Sequence, residues 1–236
     1  MRPRPRSAAR LAPLSAAVLT VALLTGFARA QMPPDADIPL LDAQLLAVTC
    51  PDRPVVTTAG FAPTVPLTPE QEAARERRAA YRALIPVYLA YLPPEPDRVL
   101  LMPVDGVRVS QVANTYAAPR DGGRSHQGQD IFAARHTPIL SATSGIVHEI
   151  SDRFTGGRGV MILGSGGVRY FYTHLEAYAD DLREGMWVNT DTVIGYVGND
   201  GNASTTPTHL HFGVYSYDPE TCRHRAFDPL PLLQDR

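Results

Sequence analysis

The hydrophobic and polar positions divide the chain into three stretches. The first opens with Arg2, Arg4, Arg6 and Arg10, continues through an apolar run from Leu11 to Phe27, and ends on Ala28-Arg29-Ala30. A basic start, an apolar middle and a small-x-small close mark a secretory signal. Residues 1–30 are therefore expected to be a signal peptide cut between Ala30 and Gln31. A retained anchor would need a span of about 20 apolar residues, slightly more than this run offers. The second stretch, residues 31–97, is a proline-rich arm. Within it Ile38 to Val48 suits a short apolar helix. Thr68-Pro69-Glu70-Gln71 is a strong helix start, because Thr68 can cap, Pro69 fits the first helical position and Gln71 completes a capping box. The predicted helix covers about residues 68–92. Pro86 is where it is expected to kink or end, and Tyr81, Leu84, Val87, Tyr88 and Tyr91 form its packing stripe. Pro93-Pro94-Glu95-Pro96 reads as a linker.

From residue 98 to 236 the pattern changes to short β-type runs between Gly, Asn and Asp turns. Ile139 to Ala142, Gly145 to Ile150, Val160 to Leu163, Arg169 to Thr173, Val193 to Val197 and Leu210 to Tyr215 each suit a strand. This repetition predicts a mainly β domain built on an antiparallel sheet or sandwich.

Charge and cysteine content narrow the options. All 22 basic residues are arginine. Five of them lie in the signal, so the mature chain would carry 17 basic against 24 acidic residues, a net charge of −7. Such a chain has no electrostatic reason to bind nucleic acid or an anionic membrane once the signal is gone. Cys50 and Cys222 are the only cysteines. In an exported protein an even pair predicts a disulfide, here tying the arm to the β domain.

Three histidine-bearing segments carry the candidate chemistry. In His209-Leu210-His211-Phe212, strand alternation puts His209, His211, Gly213 and Tyr215 on one face and Leu210, Phe212 and Val214 toward the core. In His126-Gln127-Gly128-Gln129-Asp130, a straight strand would separate His126 from Asp130 by about 13 Å. Two ligands of one zinc lie only a few ångströms apart, so the chain must bend between them, and Gly128 permits that. His174 follows the β-prone run Tyr170-Phe171-Tyr172-Thr173 and would sit at a strand end. Together the segments offer nitrogens and a carboxylate for a zinc ion, with imidazoles to spare for proton transfer. The spacing leaves open which of His209 and His211 is the ligand.

These segments resemble the lysostaphin/LytM-type zinc endopeptidases of the glycyl-glycine endopeptidase family. The similar stretches are Gly123-Arg124-Ser125-His126-Gln127-Gly128-Gln129-Asp130-Ile131-Phe132-Ala133, Thr137-Pro138-Ile139, Ser144-Gly145-Ile146-Val147, Ile194-Gly195 with Val197-Gly198, and Thr206-Pro207-Thr208-His209-Leu210-His211-Phe212-Gly213. The resemblance covers roughly Leu100 to Leu233. It implies a distorted two-layer or barrel-like antiparallel sheet with an open groove. It also implies zinc held by His126, Asp130 and His211, and a catalytic pair of His174 and His209. The implied reaction is hydrolysis of the peptide cross-links of bacterial peptidoglycan, with the peptide stems as partner. His209 would take the proton of water, and His174 would stabilise the oxyanion. Export to the periplasm, or secretion, would follow. The alternative is a non-catalytic regulator that binds the cell wall and activates amidases, as relatives lacking metal ligands do. His136 departs from the family pattern, which usually has Gly before Thr-Pro, and is expected to alter a turn rather than to place an extra imidazole near the site. Thr115-Tyr116 replaces the family's Phe-Gly. Tyr172, Tyr215 and Tyr217 are candidates either for the groove or for ordinary packing.

Overall fold

In the computed structural model, residues 66, 68–221 and 223–236 are described. The signal segment, the expected helix at Ile38 to Val48 and the Cys50–Cys222 pairing lie outside these residues.

Among the described residues there is one α-helix, α1, Pro69–Tyr91. Its start follows from the local sequence. The Thr68 hydroxyl accepts the Gln71 amide hydrogen at 3.2 Å, and the Gln71 side chain accepts from the Thr68 amide at 2.9 Å. Glu70 and Glu72 in the first turn complement the positive end of the helix dipole. The helix continues past Pro86 to Tyr91. Tyr81 is its one buried residue and the centre of its docking: the phenol meets His148 Nδ1 at 2.9 Å, and the ring lies over Gly185. Arg78 pairs with Glu184 at 2.8 Å beside it. The segment read as a linker is bound down. Pro93 O accepts from Gly166 N, and Asp97 accepts from the hydroxyls of Thr143 and Tyr170. Four residues rich in proline cost little entropy to fix, so a few contacts suffice to hold them.

The rest is antiparallel β-structure with one exception. The strands are β1 (Leu100–Leu101), β2 (Pro119–Arg120), β3 (Arg124–Ser125), β4 (Gln129–Phe132), β5 (Pro138–Leu140), β6 (Gly145–Phe154) and β7 (Gly157–Gly164). They continue with β8 (Arg169–Thr173), β9 (Leu175–Tyr178), β10 (Trp187–Val188), β11 (Val193–Val197), β12 (His209–Asp218), β13 (Arg223–Phe227) and β14 (Leu233–Gln234). A seven-stranded sheet runs β10-β6-β7-β8-β12-β13, with β4 also paired to β12. A three-stranded sheet runs β5-β11-β9, and β2 pairs β3. The exception is β1, which lies parallel to β14 with Leu100 opposite Leu233.

β12 organises the sheet. Its C-terminal half pairs β13, its N-terminal half pairs β4, and β8 runs along the other edge. Alternation sends Leu210, Phe212 and Val214 into the core, where each is at most 4% exposed. Tyr172 from β8 packs on Phe212 with ring centroids 5.0 Å apart, and its hydroxyl accepts the Ala142 amide hydrogen at 2.9 Å. A fully buried aromatic of this kind is worth about 3–5 kcal/mol against alanine, so this layer is a rigid backing for the opposite face. Tyr172 is thus a core residue, whereas Tyr215 faces the groove and Tyr217 is not among the groove's lining residues.

Candidate metal centre

The register of β4 on β12 builds the site. His211 stands opposite Asp130, and His209 opposite Phe132. Asp130 Oδ1 therefore lies 3.2 Å from His211 Nδ1 but 3.7 Å from His209 Nε2. The chain enters β4 through His126, whose Nε2 comes to 3.1 Å from Asp130 Oδ1 and 2.8 Å from His211 Nδ1. The ligand atoms of His126, Asp130 and His211 all lie within 4.8 Å of one another. Gly128 allows this by its lack of a side chain, not by an unusual φ. A Cβ there would stand 2.7 Å from both His211 Cε1 and the Phe212 carbonyl oxygen.

The ring tautomers follow from the backbone. His126 Nδ1 donates to Thr115 O at 2.8 Å, and His209 Nδ1 donates to Pro207 O at 2.8 Å. His174 Nδ1 faces two carbonyls, Gly156 O at 3.0 Å and Asp200 O at 2.9 Å. A carbonyl can only accept, so in each neutral ring Nδ1 carries the proton and Nε2 presents a lone pair.

This donor set fits a divalent cation. Two imidazole nitrogens and a carboxylate oxygen converge within hydrogen-bonding distance, with few protons to share among them, and His126 and Asp130 are only 6% and 8% exposed. Two nitrogens and one oxygen with an open side match a catalytic zinc site. Burial alone would raise the Asp130 carboxyl pKa, but hydrogen bonds with His126 and His211, and their charge, hold it well below the usual carboxylate range. Burial pushes His211 down, toward the neutral form that can ligate. Arg120 fastens the far oxygen, Asp130 Oδ2, at 2.8 Å.

His174 lies outside this trio, its ring centroid 4.8 Å from that of His209 and 5.9 Å from that of His211. It holds a left-handed backbone at φ 66°, strain that a non-glycine residue keeps only when its surroundings demand it. Burial, then the charges of His209 and His211, push its pKa down to about 4. An open groove of about 880 Å³ runs over these groups. Phe132, 52% exposed, stands over His209 on one side, and Phe154 and Phe171 form an edge-to-face pair on the other.

All five residues singled out from the sequence thus meet in one groove. His136 does not join them. It takes a left-handed turn at φ 67°, with its amide bonded to Val197 O, so it fills with a histidine a conformation that glycine holds freely. Two supporting residues carried no signal in the sequence. Thr115 accepts from His126 Nδ1 through its carbonyl, and its hydroxyl accepts from the Asp130 amide at 2.9 Å. Asp200 supplies a carbonyl to His174.

Residues 124–229 match peptidase family M23. The chain is 33% identical over 118 residues to the L-Ala--D-Glu endopeptidase of Bacillus subtilis, an alignment covering 48% of this chain and 36% of that protein. It thus spans about a third of the length of that curated relative. Among solved structures, the catalytic domain of the antimicrobial peptidase lysostaphin from Staphylococcus simulans is 29% identical, with a TM-score of 0.44, over 51% of this chain and 90% of that one. Csd3 of Helicobacter pylori is 29% identical with a TM-score of 0.45, over 58% of this chain and 35% of that one. Residues 124–229 thus carry a peptidase family M23 match, in line with the resemblance of their motifs to lysostaphin/LytM-type peptidases.

Proposed function

We propose that the protein is an exported zinc endopeptidase that hydrolyses peptide cross-links of bacterial peptidoglycan. The observation that carries this reading is the convergence of His126 Nε2, Asp130 Oδ1 and His211 Nδ1 at an open groove with two further imidazoles beside them. Similarity to the Bacillus subtilis relative, an L-Ala--D-Glu endopeptidase, supports a stem peptide as the substrate class. Among the described residues no helix is long and apolar enough to cross a membrane. The signal-like first thirty residues support export.

His126, Asp130 and His211 would hold the zinc. When bound, zinc supplies Lewis acidity that polarises a carbonyl and makes water nucleophilic near neutral pH. His209, its Nδ1 held by Pro207 O, presents Nε2 as a proton acceptor and can pass that proton to the leaving amine. His174 has the same tautomer, which changes the role expected for it. A neutral ring with its proton on Nδ1 cannot donate to an oxyanion from Nε2. It can accept a hydrogen bond from the attacking water and so aim it at the carbonyl. Phe132 on one side and Phe154 with Phe171 on the other offer apolar faces to an extended peptide. Digestion of purified sacculi, with and without chelator, followed by mass analysis of the products, tests the reading. Chelator-sensitive release of cleaved stem peptides is expected. Intact cross-links in the presence of zinc would refute it, and binding without cleavage would favour the amidase-regulator alternative.

A further inference from the structure

Two turns close on His174. One is the bend between β6 and β7, residues 155 and 156. The other runs from Asp200 to Ala203, after β11. Each contributes one carbonyl to the same ring nitrogen, Gly156 O at 3.0 Å and Asp200 O at 2.9 Å. The His174 amide also donates to Gly156 O, at 3.1 Å.

The turns are fastened to each other and not merely adjacent. Gly157 and Gly201 both have left-handed φ, 71° and 67°, and their backbones touch. A Cβ on Gly201 would stand 2.2 Å from Gly157 N, and one on Gly157 would stand 2.5 Å from Gly201 N. The Asn202 amide reaches Thr155 O at 3.3 Å. The Asp200 carboxylate makes the side-chain tie: Oδ2 accepts the Arg158 amide hydrogen at 2.9 Å, with Arg158 Nε 3.9 Å away. The Arg158 guanidinium in turn donates to the carbonyls of Leu175 and Glu176, just after His174. Asp200 does not touch the groove chemistry with its side chain. It sits where it can hold both carbonyls on one imidazole.

We propose that Asp200 is a positioning residue, whose carboxylate locks the 200–203 turn to the β6–β7 bend so that Gly156 O and Asp200 O together fix the His174 tautomer and ring orientation. This rests on the functional reading above, in which His174 must present a lone pair at Nε2. Without the carboxylate tie the turn carrying Asp200 O can drift from the bend carrying Gly156 O. The ring then keeps at most one carbonyl, and the alternative tautomer becomes accessible. A reacting group misplaced by about 1 Å costs on the order of a hundredfold in rate, and the loss falls on turnover because ligands and apolar walls are untouched.

The test uses the full chain loaded with zinc, labelled with nitrogen-15 in its histidines. Long-range proton–nitrogen correlation reads the His174 tautomer directly, and turnover on sacculus-derived cross-linked peptides is measured alongside. Asp200→Ala is expected to lose about 10- to 100-fold in kcat, with KM changed less than about threefold and zinc content unchanged. Its His174 signals should move from the pure Nδ1–H pattern toward a mixture. Asp200→Asn, which still accepts from the Arg158 amide, should recover most of the turnover and the wild-type pattern. Gly201→Ala, which forces the turns apart, should repeat the alanine phenotype. A wild-type His174 lacking the Nδ1–H pattern would overturn the proposal. So would an Asp200→Ala protein that keeps both signature and kcat, one that loses kcat with the signature intact, or one that loses its zinc. Failure of the wild-type protein to cleave any cross-linked peptide would instead defeat the functional reading, while the tautomer measurement would still decide the clamp.

Discussion

Gly128→Ala separates a close-packed site from a merely polar one. A Cβ at this position would stand 2.7 Å from His211 Cε1 and from Phe212 O, and 2.8 Å from His211 Nε2, where ordinary contact begins at 3.4 Å. The overlap is about 0.7 Å on a ring whose other nitrogen points at Asp130 Oδ1, 3.2 Å away. Phe212 O belongs to the backbone of β12, between β8 and β4, and cannot retreat alone. The imidazole must therefore move by several tenths of an ångström, whereas ligand distances in zinc sites are held to within about 0.2 Å. Forcing a methyl into such packing costs about 1–3 kcal/mol of stability, which leaves a folded protein. Zinc affinity should fall at least tenfold, comparable to losing a supporting contact of a ligand. Competition with a chromophoric chelator measures the affinity, and thermal unfolding of the metal-free protein measures the fold. A folded variant with wild-type zinc affinity would show that His211 is not confined by Gly128, and that the close approach has no bearing on the metal.

His211→Ala and Asp130→Ala should each abolish stoichiometric zinc binding, since a catalytic site of three protein ligands has none to spare; full occupancy by metal analysis would contradict the ligand assignment. His174→Ala and His209→Ala should keep zinc and lose most turnover, and loss of the metal in either would mean that a ligand had been mistaken for a catalytic group. The docking of α1 should weaken in acid. Burial, then the charges of Arg169, Arg82 and His224, push His148 down to about 4. Its folded pKa lies below the unfolded value of about 6.5, so the folded state binds fewer protons than the unfolded one between those limits. The contribution is complete above pH 6.5 and is lost as pH falls toward 4. After discounting for partial exposure, about 1 kcal/mol should vanish between pH 7 and 5. Denaturant melts at the two pH values should show a loss of stability that is larger in the wild type, by about that amount, than in His148→Gln, which cannot titrate at this position.

Much of the site was legible because it rests on local periodicity. The alternation along residues 209–215 foretold which side chains of β12 enter the core, and Thr68 and Gln71 foretold the start of α1. The choice between His209 and His211 was not legible from spacing. It depends on strand register, which puts Asp130 across from one and Phe132 across from the other, and register is a property of two distant segments. Thr115 and Asp200 were invisible for a related reason. Their contributions to His126 and His174 come through backbone carbonyls, which every residue possesses. The bend at Gly128 was foreseen for the wrong cause, since close approach and not backbone freedom demands the glycine.

The parallel pairing of Leu100 with Leu233 brings the two ends of the β domain side by side. The polypeptide enters and leaves this body through a single doorway. Such a unit can be transplanted between larger proteins, or spliced into the surface loop of another, without pulling its termini across the fold. It also needs only a short tether on either side, because the segments flanking Leu100 and Leu233 start from neighbouring positions.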